Sequence, residues 1–151
     1  MLDALIGNTD RHHENWGLVL WTDGDQWFGR VAPSFDHATS LGREWHGRGK
    51  QKAQRILDEG KIGVYSEKAR GAVYWSSEDT CAPGPLELVR RAMRTYPQVF
   101  ESALGDAIRV TPEILQSCVN RVPDDWMSPL SKRFAIDLMA YNLSELRKLQ
   151  K

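Results

Sequence analysis

Three oxygen-bearing side chains near the start of the chain have the types and the order that phosphoryl transfer requires. Asp10 and Asn15 lie five residues apart in a polar segment, and Asp36 follows a later apolar stretch. This reaction needs a carboxylate that orients the attacking hydroxyl and accepts its proton, and oxygen ligands for Mg²⁺ ions that neutralise phosphate charge. An Asp and an Asn on one tight loop can face the same point, one as base and one as ligand.

A short hairpin is predicted between this loop and Asp36. Residues 16–21 form an apolar run without helical period, short enough for a buried strand, and residues 22–25 have turn chemistry. Residues 26–31 can return as the second strand, which would bring Asp36 back towards the loop. Asp10 alone could simply cap a helix or turn. Capping does not account for Asp10, Asn15 and Asp36 occurring together in this order.

The remaining chain is helical in character, so the predicted fold is mainly α with one small β-hairpin. Residues 2–7 read as the last turns of an apolar helix that stops at Gly7. Further helices are predicted over residues 52–59, from Pro85 onward, over 99–108, after the capping residue Thr111, and over 129–149.

The polar segment also resembles a known family. Residues 5–16, Leu-Ile-Gly-Asn-Thr-Asp-Arg-His-His-Glu-Asn-Trp, are similar to the catalytic loop of HipA-like serine/threonine kinases, which are related to the phosphatidylinositol 3- and 4-kinases. Residues 32–36, Ala-Pro-Ser-Phe-Asp, resemble the metal-binding segment of the same family. The resemblance is close over residues 2–42. It implies that residues 1–151 form the helical C-terminal lobe of a protein-kinase-like fold, whose hairpin carries the metal-binding loop.

The resemblance assigns a role to each site residue. Asp10 would be the catalytic base, Asn15 a metal ligand and Asp36 the principal metal ligand. His12 matches the loop histidine of the family, which holds the catalytic loop in shape, whereas the family pattern does not demand His13.

The implied activity is ATP- and Mg²⁺-dependent phosphorylation of a Ser or Thr hydroxyl on a protein. ATP is the phosphate donor and Mg²⁺ the cofactor. Family likeness also leaves open a toxin–antitoxin setting with a DNA-binding antitoxin as partner. The kinship with lipid kinases keeps a phosphoinositide-like substrate open.

The nucleotide-binding lobe of a kinase is expected to be missing. Only nine residues precede Asp10, whereas that lobe, with its phosphate-covering loop and phosphate-pairing lysine, lies upstream of the catalytic loop. The cluster Gly47-Arg48-Gly49-Lys50 falls short of P-loop spacing and follows no predicted strand. The chain by itself is therefore expected to hold Mg²⁺ weakly, to bind ATP poorly and to be inactive unless another chain supplies the lobe.

Two other classes of function stay open. The chain could be a non-catalytic binding or regulatory piece, a split or truncated lobe that pairs with a partner. It could also be a metalloenzyme in which histidines and a carboxylate bind a transition metal. The histidines concerned lie in the first third of the sequence, although none shows His-x-His or His-Glu-x-x-His spacing: His12, His13, His37 and His46.

Composition limits the number of domains, the binding partners and the cellular compartment that can be expected. The 151 residues fit one domain, and equal numbers of basic and acidic residues, 20 each, give no general attraction to nucleic acid or to an anionic membrane. Without a signal peptide or an apolar stretch of membrane-spanning length, a cytoplasmic protein is expected. Cys81 and Cys118 are expected to be reduced, buried thiols, although one disulfide is conceivable.

The sequence also contains a basic stretch and an unusually large number of tryptophans. A basic stretch follows Asp36 and could steer ATP or an acidic substrate, or could form a solvated face: Arg43, Arg48, Lys50, Lys52 and Arg55. Six tryptophans are expected mostly as core anchors, some of them buried against the missing lobe: Trp16, Trp21, Trp27, Trp45, Trp75 and Trp126.

Overall fold

The computed structural model describes residues 1–43 and 49–150, and over these residues the chain is mainly helical. One antiparallel hairpin lies near the N-terminus, formed by β1 (Leu18–Asp23) and β2 (Gln26–Val31). The helices are α1 (Leu2–Ile6), α2 (Lys50–Asp58), α3 (Ile62–Glu67), α4 (Pro85–Thr95), α5 (Pro97–Ile108), α6 (Pro112–Asn120) and α7 (Pro129–Arg147). Four of these helices begin with a proline, whose fixed φ and missing N–H suit the first helical turn.

Helix α7 is the centre of the fold. Ser128 caps it by accepting a hydrogen bond from the backbone N–H of Ser131. Phe134 and Leu138 pack with residues of α2, while further along α7 other apolar side chains pack with α1, α4, α5 and α6. None of the described helices is long and apolar enough to cross a membrane.

A buried polar contact connects three helices beneath the predicted catalytic loop. Asn142 of α7 is 1% exposed. Its Nδ2 donates to the backbone oxygen of Leu5 at 3.1 Å, and its Oδ1 accepts from the hydroxyl of Ser66 at 2.6 Å. Because buried polar groups that lose their partners cost free energy, this contact fixes α1 against α3 and α7. The end of α1 therefore enters the loop from a fixed position.

The hairpin forms in the predicted place, but the prediction that its first strand is buried is wrong. Leu18 pairs with Val31 and Asp23 with Gln26, which closes a two-residue turn at Gly24 and Asp25. Both strands are exposed along their whole length. The apolar run identified a strand, whereas burial depends on what covers its faces, and no described helix covers them.

The tryptophans and cysteines also differ from expectation. Five of the six tryptophans are exposed rather than core anchors, and Trp45 lies outside the described residues: Trp16, Trp21, Trp27, Trp75 and Trp126. The large side chains of the core are instead aliphatic, together with Phe134. Cys81 and Cys118 are free thiols, as expected, but both are exposed. Cys118 lies between the buried Leu115 and Val119 on α6 and faces outward.

Candidate active site

The loop begins where α1 ends. Gly7 adopts φ 66°, a left-handed conformation that glycine reaches without a Cβ penalty, and the chain turns away from the helix. The next residue, Asn8, is buried and holds the turn with its side chain. Its Nδ2 donates to Asp3 Oδ1 at 2.8 Å, and its Oδ1 accepts from the backbone N–H of Asp10 and from the hydroxyl of Thr39. Asn8 thus joins the helix, the loop and the segment that follows Asp36.

Asp10 and Asn15 close the loop on themselves. The carbonyl oxygen of Asp10 accepts from the Nδ2 of Asn15 at 2.7 Å and from the backbone N–H of His12 at 2.9 Å. Asn15 is 5% exposed. Because Nδ2 makes this bond, the amide is fixed, and its Oδ1 accepts no hydrogen bond from the described residues. The carboxylate of Asp10 is half exposed, so another molecule can reach it.

His12 shapes the middle of the loop. Its Nδ1 accepts a hydrogen bond from the backbone N–H of Glu14 at 3.3 Å and so caps the 3-10 turn His13–Asn15. In the neutral ring this acceptor role places the proton on Nε2. Nε2 lies 3.9 Å from Asp10 Oδ1, too far for a direct hydrogen bond. His12 therefore acts on the backbone of the loop and faces the carboxylate without binding it directly.

Arg11 is the residue that sequence reasoning missed. Its Nε and Nη2 donate to the two carboxylate oxygens of Asp3 at 2.9 and 2.8 Å. Its Nη1 donates to the backbone oxygens of both Asn15 and Phe35, the second at 2.7 Å. Nη2 also lies 3.2 Å from Nδ1 of His37. One guanidinium therefore joins α1, the Asp10–Asn15 loop and the segment that carries Asp36.

The charges at this junction stabilise each other. Partial burial alone would raise the pKa of Asp3, but hydrogen bonds from Arg11 and Asn8 and the charge of Arg11 outweigh it, so the pKa is lowered. The hydrogen bond to Asp3 raises the pKa of Arg11, and the charges of Asp3 and Asp36 act in the same direction. Asp36 is thus close enough to Arg11 to interact with it electrostatically.

Asp36 has an unusual backbone conformation. Its φ is 49°, a left-handed value that Asp tolerates better than most residues. Its Oδ1 accepts from the backbone N–H of Ala38 at 3.3 Å, and the residue is exposed. A backbone bond of 2.8 Å from Ala32 to Gly17 closes the base of the hairpin just before it. The hairpin therefore returns the chain to the loop, as its position in the sequence predicts.

Mg²⁺ and the transition metals differ in the protein ligands that they require. Mg²⁺ keeps several waters and needs only one or two protein carboxylates beside phosphate oxygens. Asn15 Oδ1 and the Asp36 carboxylate, on the two segments that Arg11 connects, fit that requirement. A transition-metal site needs more ligands, and the described residues contain no group of three or more His, Cys, Asp or Glu side chains that could hold a metal.

The three histidines that the structure describes, His12, His13 and His37, do not belong to any group of side chains that could hold a metal. His37 lies between Arg11 and the hydroxyl of Ser34, 3.2 Å from the latter. The side chain of His13 is 85% exposed. His46 lies outside the described residues, as do Gly47 and Arg48 of the predicted glycine–lysine cluster.

Comparison with known proteins adds no relative. No protein-family model, no curated protein and no solved structure matches the chain. The kinase resemblance therefore stays a prediction that depends on the residues of the two loops and on the geometry that joins them.

The Asp3–Arg11 pair makes the stability of this region depend on pH. We expect Asp3→Asn to lower the free energy of unfolding at pH 7 by about 2 kcal/mol, because an amide replaces a charged acceptor of two Arg11 bonds. The folded pKa of Asp3 lies below its ordinary value of 3.8. The stabilisation is therefore present above that value and is lost as the pH falls through the folded pKa.

Urea unfolding followed by circular dichroism between pH 7 and pH 2 measures this difference. The difference in free energy of unfolding between the Asp3→Asn variant and the unmodified chain should become smaller below about pH 4. Asp106→Asn is the control, since Asp106 is 73% exposed in a surface pair with Arg109. A gap that is constant with pH would contradict the prediction.

Proposed function

We propose that this chain carries the catalytic and metal-binding loops of a kinase C-terminal lobe and that, together with a nucleotide-binding lobe, it transfers the γ-phosphoryl group of ATP to a Ser or Thr hydroxyl of a protein. The observation that supports this proposal most is that Arg11 Nη1 donates two hydrogen bonds, one to the backbone oxygen of Asn15 and one to that of Phe35. A shared nitrogen brings the loop of Asp10 and Asn15 next to the residue that precedes Asp36. Asp10 would supply the base, and Asn15 and Asp36 the two metal ligands, which together are the set that phosphoryl transfer needs.

Asp10 would act as the base. Its half-exposed carboxylate accepts the proton of the substrate hydroxyl as the oxygen attacks the γ-phosphorus, and the bond to the bridging oxygen of ADP breaks with its electron pair. The hydrogen bond from Asn15 to the Asp10 carbonyl fixes the backbone from which this carboxylate projects. His12 stabilises the same turn through the backbone N–H of Glu14.

Asn15 and Asp36 would hold Mg²⁺ through their side-chain oxygens. When bound, the metal neutralises negative charge on the phosphates of ATP. Arg11 sets the relative position of the two ligands by binding the backbone at Asn15 and beside Asp36. Its positive charge is largely compensated by Asp3, which keeps it from repelling the metal.

The test is transfer of label from γ-labelled ATP to a mixture of dephosphorylated proteins at graded Mg²⁺ concentrations. Asp36→Asn should raise the Mg²⁺ concentration needed for half-maximal transfer at least about tenfold. Asparagine also tolerates the left-handed backbone and can accept from Ala38, so the fold should be kept. Asp25→Asn in the hairpin turn is the matched control. An unchanged Mg²⁺ requirement in Asp36→Asn would remove Asp36 from the site.

The assay has two arms, the chain alone and the chain with the nucleotide-binding lobe of a HipA-like kinase added as a separate polypeptide. Transfer in either arm supports the proposal. Absence of transfer in both arms contradicts it. Zinc or iron that stays bound through chelation, with no transfer, would favour the histidine–carboxylate metalloenzyme instead.

A second candidate function is that of a non-catalytic lobe that binds a partner. The exposed hairpin favours it, because Leu18, Leu20, Trp27 and Val31 share one face and are all more than half exposed. Exposed apolar side chains in one patch are typical of a surface that another domain or chain covers. A nucleotide-binding lobe or an antitoxin are the partners that the kinase resemblance suggests. Binding of the separate lobe, measured by calorimetry, without transfer under any condition would favour this second function.

A further inference from the structure

A second feature lies beside the candidate site. A groove with a volume of about 640 Å³ runs between α2 and α3, and Thr9 lines it. Thr9 directly precedes Asp10, and consecutive Cα atoms are about 3.8 Å apart. The groove therefore opens next to the residue proposed as the base. Its volume is within the range of about 300–1,000 Å³ that is usual for ligand sites.

The walls of the groove come from one face of each helix. On α2, Lys52 and Ile56 are four residues apart and so lie on the same side. On the other wall, Lys61 directly precedes α3, and Val64 and Lys68 follow at helical spacing on the same face. The floor is apolar and the rim carries ammonium groups. This arrangement suits a ligand with both apolar and negatively charged groups.

The charge in this groove differs from that of the whole chain. Lys52, Lys61 and Lys68 are exposed at the same groove, although the chain has equal numbers of basic and acidic residues. Lys61 pairs with Glu59, but both side chains are exposed, and such pairs contribute little and are easily exchanged. A ligand that brings its own carboxylates would therefore find complementary charge here.

We propose that this groove binds an acidic, extended segment of the substrate protein and so presents a neighbouring Ser or Thr hydroxyl to Asp10. This inference rests on the proposed kinase function and specifies its substrate class. Carboxylates of the segment pair with Lys61 and Lys68 at the rim, and apolar side chains of the segment contact Ile56 and Val64. Complementary charge of this kind selects partners and speeds their association.

An acidic protein segment fits the groove better than a nucleic acid does. Proteins that bind single strands offer aromatic rings on which bases stack. The aromatic side chain in this groove, Tyr65, packs edge-on against Phe134 with ring centroids 5.1 Å apart, and the residue is only partly exposed. The aliphatic floor, with Val64 half exposed, suits peptide side chains.

The test is fluorescence anisotropy of the full chain with two labelled peptides that contain Ser and Leu. One carries Glu at the remaining positions and the other carries Lys. The Glu peptide should bind more tightly, and Lys68→Glu should raise its Kd about five- to tenfold because a favourable pair becomes a repulsive one. Lys68→Gln, which only removes the charge, should raise Kd about two- to threefold. Arg109→Glu, at a position whose side chain is 83% exposed at the end of α5, should leave Kd unchanged.

The outcomes separate this inference from the proposed function. Binding of the Glu peptide that depends on Lys68, without phosphoryl transfer in either arm of the kinase assay, would support the acidic-segment site and contradict the kinase function. Transfer with equal binding of the two peptides, or with binding unchanged in Lys68→Glu, would overturn the acidic-segment site and leave the kinase function standing. A single-stranded RNA that binds more tightly than the Glu peptide and depends on Lys68 would also overturn it.

Discussion

Replacing Asp10 by asparagine is expected to slow phosphoryl transfer about a thousandfold while changing the free energy of unfolding by less than about 0.5 kcal/mol. Asparagine has the shape of aspartate but cannot accept the proton of the attacking hydroxyl. The backbone of residue 10 makes the structural contacts, since its N–H donates to Asn8 Oδ1 and its carbonyl accepts from Asn15. Both contacts survive the substitution.

The carboxylate of Asp10 does little for the fold. Nε2 of His12 lies 3.9 Å from Asp10 Oδ1, too far for a direct hydrogen bond, and the Asp10 side chain is 48% exposed. Surface changes of this kind usually alter stability very little. A large loss of activity without loss of stability would therefore identify the carboxylate as a reacting group. A structural capping residue would give the opposite pattern, a loss of stability in proportion to the loss of activity.

The rate of transfer is measured in single-turnover experiments with saturating ATP and Mg²⁺, in whichever arm of the assay is active. The free energy of unfolding is measured by urea unfolding. Asp25→Asn serves again as the isosteric control, because Asp25 is an exposed residue of the hairpin turn. Transfer by Asp10→Asn within tenfold of the unmodified rate would remove Asp10 from the role of base.

Local signals predicted much of the fold correctly. Gly7 ends α1 in the left-handed conformation, and β2 covers residues 26–31 as predicted. Thr111 caps α6 by accepting from the N–H of Ile114. Each of these features depends on residues that are neighbours in sequence, so a short window contains the physical cause. Helix α3 was not predicted, because its six residues are too few to show a clear period.

Features that depend on distant residues were missed. Arg11 reaches Phe35, 24 residues away, and Asn142 reaches Leu5 across 137 residues. Neither contact produces a periodic pattern in the sequence. One signal could have pointed to Arg11, because an arginine between Asp10 and Asn15 brings five N–H donors into a tight loop. The exposure of the hairpin was missed for a similar reason. A short apolar run without helical period indicates a strand, whereas burial is decided by the surfaces packed against that strand.

Replacing Arg11 by alanine is expected to lower the free energy of unfolding by about 3 kcal/mol and to slow transfer at least about a hundredfold. The substitution leaves the Asp3 carboxylate with Asn8 as its remaining side-chain donor and frees the backbone oxygens of Asn15 and Phe35. Arg11 contacts no reacting atom in this proposal and is a positioning residue. Its loss should act on activity by separating Asn15 from Asp36.

Arg11→Lys is the informative companion variant. A lysine keeps the positive charge near Asp3, but it cannot bind both carboxylate oxygens with two nitrogens while a third nitrogen donates to the two backbone carbonyls. It should recover part of the stability and little of the activity. Arg109→Ala, at a surface position, should change neither property.

A double-mutant cycle tests whether Arg11 acts through the metal ligands. If Arg11 positions Asp36, then Arg11→Ala should raise the Mg²⁺ requirement by itself and add little to the effect of Asp36→Asn, because the second change removes a ligand that is already misplaced. If Arg11 only stabilises the fold, the two effects on the Mg²⁺ requirement should be independent, and the loss of transfer in Arg11→Ala should disappear under conditions that restore folding. Non-additive effects on the Mg²⁺ requirement would therefore show that Arg11 positions the metal ligands. An arginine that only stabilises the fold could change the apparent Mg²⁺ affinity only by changing the fraction of unfolded chain.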